Sequence, residues 1–186
     1  MTDDHAAPSA KVPSKAEAKN LMRGLGIPKH IMVHTSAVAK YAVGLARKLY
    51  EVSVDLRVVE IGGILHDIGR CKTHDLSHAM VGGEILRNLG FDPRLARVAE
   101  THLLGGITKR EAIQAGLPER FHADYLPTTL EEKLVCLADK HFAGRHKVSL
   151  EQRFAKWFAK WGRTDLLLAA YERVKELDEE IAGYLV

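Results

Sequence analysis

Histidine and aspartate residues recur in this sequence beside apolar segments, where a metal ion could hold them. The stretch GGILHDIGRC, residues 62–71, ends an apolar segment with His66 and Asp67 side by side. A buried carboxylate costs several kcal/mol, roughly, unless it is paired or bound to a metal. The other residues of this kind, each in or beside an apolar segment, are His34, His78, His102 and Asp139.

A metal centre is the simplest partner for the whole set. A lone histidine in an apolar segment is more often a hydrogen-bonded core residue than a ligand, but each member of this set would then need its own buried partner. One metal centre would satisfy all of them together. Imidazole and carboxylate ligands suit divalent transition metals such as iron, manganese, zinc, cobalt or nickel.

The elements that must bring these residues together are predicted to be helices. Apolar residues at helical spacing predict a helix over about 29–50, which contains His34. Asp55 is a suitable N-cap for a second helix, which is apolar around most of its circumference. This second helix carries His66 near its end and should stop at Gly69.

Three further helices carry the remaining candidates, and each follows a residue suited to N-capping. His78 opens the first of these helices, His102 lies near the end of the second, and Asp139 lies in the third. The predicted N-cap residues are, in order, Ser77, Asp92 and Thr129.

Helix follows helix along the rest of the chain, and no run of alternating β-branched residues predicts a strand. We therefore predict an all-α fold, a compact helical bundle of about eight or nine helices. Further capping patterns occur at Ser14, Thr108, Ser149 and Thr164. The predicted organisation is a disordered tail at 1–13, a metal-binding domain at 14–148, and C-terminal helices at 149–186 packed on the same domain.

Composition argues against several broad classes of protein. Hydrophobic residues make up 46% of the chain and charged residues 27%, which is ordinary for a soluble globular protein. The net charge of +3 is too balanced for a dedicated nucleic-acid-binding protein. No stretch reaches the roughly 18 apolar residues of a membrane span, and no signal peptide is apparent. Cys71 and Cys136 indicate no disulfide framework, so a cytoplasmic location is the simplest expectation.

The ordered set of candidates resembles the signature of the HD superfamily of metal-dependent phosphohydrolases. HDIG, at residues 66–69, is the spelling of its HDIG subgroup. The resemblance covers about residues 28–145 and implies an all-α domain, in agreement with the helix prediction. The residues that carry the signature are His34, His66, Asp67 and Asp139.

The resemblance implies two metal ions. The first would be bound by His34, His66, Asp67 and Asp139, and the second by His78 and His102. Asp67 would bridge the ions and so be catalytic, and a hydroxide between two metals would be the nucleophile. In the branch that cleaves cyclic dinucleotides a second histidine follows the position of His102, but Leu103 stands there and the GYP signature is missing. The set is closer to that of bacterial HD-domain diadenosine tetraphosphate hydrolases, although the loop at 105–127 does not match that branch.

Basic residues near the motif each have two interpretations. Arg70 could grip a phosphate in two places, as a second catalytic residue, or could bind the last carbonyls of its helix. His74 is a weaker alternative to His78 as a ligand. Lys109 and Arg110 could bind a distal phosphate or a leaving group, although a solvated surface is the preferred interpretation.

The C-terminal segment carries an aromatic stripe. Phe154, Trp157, Phe158 and Trp161 lie at i, i+3, i+4 and i+7 of a predicted helix. We interpret the stripe as core packing or as the face of a homodimer, and not as a ligand site.

Three functions follow from these features. The leading one is a metal-dependent phosphohydrolase that cleaves a phosphomonoester, phosphodiester or phosphoanhydride of a nucleotide or a similar small molecule. A di-iron oxygenase of a related fold uses a similar set of histidines and aspartates, and would consume oxygen when ferrous iron is added. A nucleotide-binding sensor without catalysis would show no turnover of a generic phosphodiester.

Overall fold

Helices dominate the structure, which is a computed structural model and describes residues 10–185. Within these residues nine α-helices occur: α1 (Lys15–Gly24), α2 (Lys29–Ala46), α3 (Leu56–Leu65), α4 (His78–Asn88), α5 (Pro93–Thr101), α6 (Lys109–Gln114), α7 (Leu130–Lys140), α8 (Leu150–Trp161) and α9 (Asp165–Gly183). Short 3-10 helices span Ile68–Cys71, Leu103–Gly105 and Glu119–Phe121. The all-α prediction is confirmed. In the described part of the chain no helix is long and apolar enough to cross a bilayer.

A small β-hairpin departs from the prediction of no strands. β1 (Phe142–Ala143) pairs antiparallel with β2 (His146–Lys147), and Gly144 turns the chain with a φ of +61°. Strands of two residues are too short to show the alternation by which a strand is recognised in a sequence. The hairpin was therefore missed, although Gly144 is a turn signal.

Helix starts agree with the capping patterns. The side-chain oxygens that accept a backbone N–H bond of the first helical turn are those of Ser14, Asp55, Asp92, Thr108, Thr129, Ser149 and Thr164. Ser77 precedes α4 as predicted, but its hydroxyl bonds the carboxylate of Asp75 and not the helix.

Two helix ends differ from the prediction. α2 stops at Ala46 and not near Tyr50, because the Tyr50 N–H donates to the carbonyl of Tyr184 and the chain turns toward its C-terminal residues. α3 stops at Leu65 and does not continue through the glycine of the HDIG run. The chain tightens there into a 3-10 helix, which turns the motif toward the core.

Residues 11–13, just before α1, contact the rest of the fold. Residues 1–9 of the predicted disordered tail lie outside the described residues. The backbone of Lys11, however, forms an isolated β-bridge with that of Phe91. The guanidinium of Arg57 donates to the carbonyl of Val12 at 2.7 Å. Residues 11–13 therefore lie against the fold, because their backbone groups find partners there.

Two hydrophobic clusters surround the central helix α3. The first joins α1 and α3 with α4 and α5, for example through Met22, Ile61 and Leu95. The second joins α2 and α7 with the C-terminal helices, for example through Leu134 and Phe154. The C-terminal helices therefore share a core with the helix that carries Asp139.

Candidate metal centre

Four histidines are oriented by hydrogen bonds from Nδ1 to backbone carbonyls. Three of them lie at helix ends and bond the carbonyl three residues earlier: His66 to Gly63 (2.8 Å), His78 to Asp75 (2.6 Å) and His102 to Ala99 (2.7 Å). The fourth, His34 of α2, bonds the carbonyl of Gly144 in the hairpin at 2.8 Å. Because a carbonyl only accepts, Nδ1 must carry the proton in each ring. In the neutral imidazole, Nε2 then presents a lone pair.

The first group of these nitrogens faces Asp139. Its Oδ1 lies 3.0 Å from Nε2 of His34 and 3.7 Å from Nε2 of His66. The atoms of these three residues are close enough together to hold one metal ion. Asp139 is buried on α7, so this group joins α2, α3 and α7.

The second group faces Asp67. Its Oδ1 lies 3.1 Å from Nε2 of His78 and 3.5 Å from Nε2 of His102, and these two nitrogens are 3.3 Å apart. The other oxygen, Oδ2, lies 3.8 Å from Nε2 of His66. His66, Asp67 and His102 could hold a second ion. The two groups share His66, so all the residues singled out in the sequence meet in one cluster.

The cluster presents lone pairs on imidazole nitrogens and carboxylate oxygens, and two of its histidine rings are neutral. Burial lowers the pKa of His66 to about 3 and also lowers the pKa of His102, which keeps both rings neutral. Among the described residues, Nε2 of His66 and Oδ1 of Asp67 are buried and have no hydrogen-bond partner. Buried polar atoms are seldom left in this state. A divalent cation would satisfy them, so the residues present fit a metal centre.

Both carboxylates are ionised. Burial acts to raise the pKa of Asp67, but interaction with the protonated forms of His66, His102 and His78 outweighs it and holds the pKa well below its ordinary value. Burial likewise opposes the ionisation of Asp139, and the charge of Lys140 with the hydrogen bond of His34 holds that pKa well below the usual range. The same contact raises the pKa of His34 against the effect of burial.

Lys140 is a buried cation that the sequence analysis did not single out. Its side chain is 2% exposed, and Nζ donates to Oδ2 of Asp139 at 2.5 Å and to the carbonyl of His102 at 2.7 Å. The ammonium compensates part of the negative charge of the cluster. It also links the end of α7 to the end of α5, because Lys140 lies on α7 and the carbonyl of His102 directly follows α5.

Gly69, the last residue of the HDIG run, allows the second group to form. A methyl group on Gly69 would overlap the carbonyl of His78 and come within 2.7 Å of the backbone nitrogen of Gly82. Only glycine therefore lets the start of α4 lie directly against the 3-10 helix that follows Asp67. This contact brings His78 to Asp67.

Arg70 lies beside the cluster. Its Nε is 2.9 Å from Oδ1 of Asp67, at an angle too poor for a hydrogen bond. The guanidinium makes no hydrogen bond to a carbonyl of the described residues, so the contact with the end of α3 that was one interpretation is not seen. The side chain is 27% exposed and faces the open space above the cluster.

Two openings meet at the cluster. The aromatic cavity, about 600 Å³ in volume, is lined beside the cluster by Leu103, Leu104, Trp157, Trp161, Leu166 and Leu167. The basic cleft, about 750 Å³, is lined by Lys29, His30, Arg70, His74, Arg145 and Arg153. The residues that line both are His34, Asp67, Arg70, His74 and Arg153. A ligand at the cluster could therefore extend in two directions.

The remaining residues that the sequence analysis discussed lie outside the two ligand groups. His74 is exposed and lines the openings, outside both ligand groups. Lys109 and Arg110 are exposed and line neither opening, in agreement with the preferred surface interpretation. Phe154 of the aromatic stripe is buried and Trp157 packs partly on the core, while Trp157 and Trp161 also line the aromatic cavity; the dimer-face interpretation stays a prediction.

Comparison with known proteins places these residues in a family. The HD domain family matches residues 31–144, which include every candidate ligand. The uncharacterized protein MJ0778 of Methanocaldococcus jannaschii is 44% identical over 161 residues, which are 84% of this chain and 90% of that protein. A tRNA (cytidine(56)-2'-O)-methyltransferase of Thermoplasma volcanium is 36% identical over 141 residues, 76% of this chain. The match spans 40% of the methyltransferase.

A solved structure shows the same fold. It is the HD domain of the L. monocytogenes phosphodiesterase PgpH in complex with cyclic-di-AMP. The TM-score is 0.52, and the match covers 88% of this chain and 94% of that chain. The sequence identity is 19%, so this likeness concerns the fold.

Proposed function

The chain belongs to the HD domain family, and on that premise we propose that it is a metal-dependent phosphohydrolase. Its substrate would be a phosphomonoester, phosphodiester or phosphoanhydride of a nucleotide or a similar small molecule. The observation that carries the proposal is the convergence of histidine Nε2 atoms and carboxylate oxygens at the point where the aromatic cavity and the basic cleft meet.

Two divalent transition-metal ions, of iron, manganese, zinc, cobalt or nickel, are the proposed cofactors. His34, His66 and Asp139 would hold one ion, and His78 and His102 the other. The two oxygens of Asp67 support a bridging role, because Oδ2 faces His66 while Oδ1 faces His78 and His102.

Metal ions in such a site lower the pKa of a coordinated water and neutralise charge on the phosphoryl oxygens. The chain itself would orient the reacting groups. The four Nδ1 hydrogen bonds fix the imidazole rings, which keeps every Nε2 directed at the cluster. Arg70 would bind a phosphate oxygen through its guanidinium, since it faces both openings and Nε lacks a well-aligned acceptor.

The relatives support phosphate ester chemistry in this fold but do not identify the substrate. PgpH is a phosphodiesterase whose HD domain is in complex with a cyclic dinucleotide, which is consistent with phosphate ester chemistry in this fold. The methyltransferase is more than twice as long as the matched region, so its activity is not carried over to this chain.

Metal analysis followed by a phosphate-release panel tests the proposal. Protein purified without chelator should contain about two transition-metal ions per chain and should release phosphate from nucleotides or related esters. Asp67→Ala should abolish turnover and weaken binding of both ions. Absence of metal uptake on reconstitution contradicts the proposal, and so does oxygen consumption with ferrous iron in the absence of phosphate release.

Arg70→Ala separates phosphate binding from metal binding. It should retain its metal but lose roughly ten- to a hundredfold in kcat/KM, as expected for a charge-assisted hydrogen bond. Arg70→Lys should recover part of this loss, because lysine keeps the charge without the planar fork. Lys72→Ala is the matched control, since Lys72 is exposed and lines neither opening. An unchanged kcat/KM in Arg70→Ala rules out the phosphate role.

A further inference from the structure

Helix α8 presents two indole rings to the aromatic cavity. Trp157 is half-buried and Trp161 is 53% exposed, and both line the cavity. Their ring centroids are 6.2 Å apart and the planes are inclined by 55°. They are the only tryptophans in the chain. The exposed indole ring of Trp161, beside the cavity, can contact a flat ligand without any change in the fold.

The packing of α8 on α9 rests on two phenylalanines, and Trp157 also contacts the first of them, Phe154, with the ring centroids 5.0 Å apart. Phe154 is fully buried and packs against Tyr171 of α9, with the ring centroids 4.8 Å apart. Phe158 also faces Tyr171, at 6.0 Å. These two residues anchor α8 to α9. The indole of Trp161 is therefore not needed for that packing and remains available to a ligand.

Arg153 adds a cation at the same place. It precedes Trp157 by one helical turn, and its guanidinium carbon lies 4.7 Å from the centre of the Trp157 ring. The Nε atom is buried and has no hydrogen-bond partner among the described residues. Because Arg153 lines both the aromatic cavity and the basic cleft, its guanidinium lies where it could bind a phosphate at the cluster.

We propose that α8 is the substrate-recognition wall of the site, with a nucleotide base stacked on Trp161 beside Trp157 and its phosphate bound by Arg153. A cavity of about 600 Å³ lies within the usual range for small-molecule sites. Stacking on an aromatic ring accepts any base, since every base has a π-face. The substrate class is therefore a nucleotide or nucleotide ester and not a sugar phosphate. The position of the reacting phosphate rests on the proposed phosphohydrolase function.

Tryptophan fluorescence tests the wall directly, because both fluorophores lie on it. Metal-loaded protein is mixed rapidly with AMP, ribose 5-phosphate or inorganic phosphate, and the signal is recorded before turnover. AMP should quench the fluorescence in a saturable manner, whereas the other two ligands should not. Trp161→Ala should weaken AMP binding by roughly 5- to 100-fold and leave the binding of ribose 5-phosphate, measured by calorimetry, unchanged.

The phosphate-binding role of Arg153 is tested by measuring the binding of AMP and of ribose 5-phosphate to Arg153→Ala. Arg153→Ala should weaken AMP and ribose 5-phosphate alike, by roughly ten- to a hundredfold, because both carry the phosphate. Lys156→Ala is the control, since it removes a cation from the exposed face of the same helix and Lys156 lines neither opening. Melting temperatures of all variants identify any loss caused by unfolding.

The outcomes separate this inference from the proposed function. Saturable quenching by AMP without phosphate release from any ester supports the wall and overturns the hydrolase. Equal turnover of AMP and ribose 5-phosphate, unaffected by Trp161→Ala, overturns the wall and leaves the hydrolase intact. A dimer that dissociates in Trp161→Ala, with no quenching by AMP in the parent protein, also overturns the wall.

Discussion

Removal of the buried lysine beside the candidate metal centre should strongly destabilise the metal-free protein. Lys140→Met keeps an unbranched side chain but removes the ammonium group that bonds Asp139 and the carbonyl of His102. The side chain is 2% exposed, so water cannot replace either hydrogen bond. Asp139 would remain as a buried carboxylate without its cation.

The magnitude follows from the burial of both partners. Loss of one partner of a buried ion pair costs about 3–5 kcal/mol, and 1 kcal/mol changes Tm by about 2–4 °C in a chain of this size, so the expected decrease is roughly 6–20 °C. A partly exposed ion pair that links α7 to α9 provides the contrast. Lys133 bonds Glu180 at 2.6 Å, but the two side chains are 21% and 37% exposed. Its loss should cost about 0–1 kcal/mol.

Urea and thermal unfolding of Lys140→Met and Lys133→Met, both in the presence of a chelator, give the comparison. The same substitution on the same helix cancels the effect of methionine itself. Far-UV circular dichroism establishes that each variant is folded before denaturation. If the two variants differ by less than about 1 kcal/mol, the idea that Lys140 compensates Asp139 is refuted.

Three further predictions concern the geometry and charge of the cluster. Gly69→Ala should lose about 1–3 kcal/mol or more of stability and lower the metal content, because the added methyl group overlaps the backbone of α4. Gly44→Ala is the control: its methyl group has no neighbouring atom within 4 Å, so the change should be neutral or stabilising. His78→Ala should retain about one ion instead of two by elemental analysis, and full metal content would show that His78 is not a ligand. Chelated protein should lose stability as the pH falls from 6.5 toward about 3, because the unfolded state binds protons on His66 more readily than the folded state does. His34, whose pKa is raised, acts in the opposite direction. An increase in stability over this pH range, measured by urea titration, contradicts the dominance of His66.

The sequence predicted helix starts better than helix ends, and the reason is physical. An N-cap bond joins residues two or three positions apart, so Ser14 or Asp55 carries its own signal. The end of α2 instead depends on a hydrogen bond between Tyr50 and Tyr184, which lie far apart along the chain. The end of α3 depends on the position of α4 against Gly69. Neither contact leaves a local pattern.

The members of the cluster were predictable from residue type, but Lys140 was not. Adjacent residues on a helix point in different directions, so a lysine next to Asp139 would not be expected to bond it. Lys140 is the last residue of α7, and its long stem reaches back to the carboxylate. A weak signal was present, because Lys140 lies one turn after Cys136, which is also buried and near the carbonyl of His102.

The aromatic stripe shows a different limit of the sequence pattern. Helical spacing correctly placed its four residues near one another, but periodicity does not distinguish one broad face from two narrow ones. Phe154 and Phe158 face α9, while Trp157 and Trp161 face the cavity. Arg153, four residues before Trp157, continues the second face and is the signal that could have separated the two.

Local and long-range contacts make different contributions to the site. The ring orientations of His66, His78 and His102 are set locally, since each Nδ1 bonds a carbonyl three residues earlier and would do so in any fold with the same helix ends. Their meeting depends on the packing of α3, α4 and α5, and these candidate ligands lie within the region that the HD domain family matches. Helix α8 begins after that region, at Leu150, and supplies the two tryptophans that line the aromatic cavity. Under the proposed phosphohydrolase function, substitutions on α8 should alter which phosphate ester is accepted before they alter metal binding, because no residue of α8 belongs to either candidate metal group.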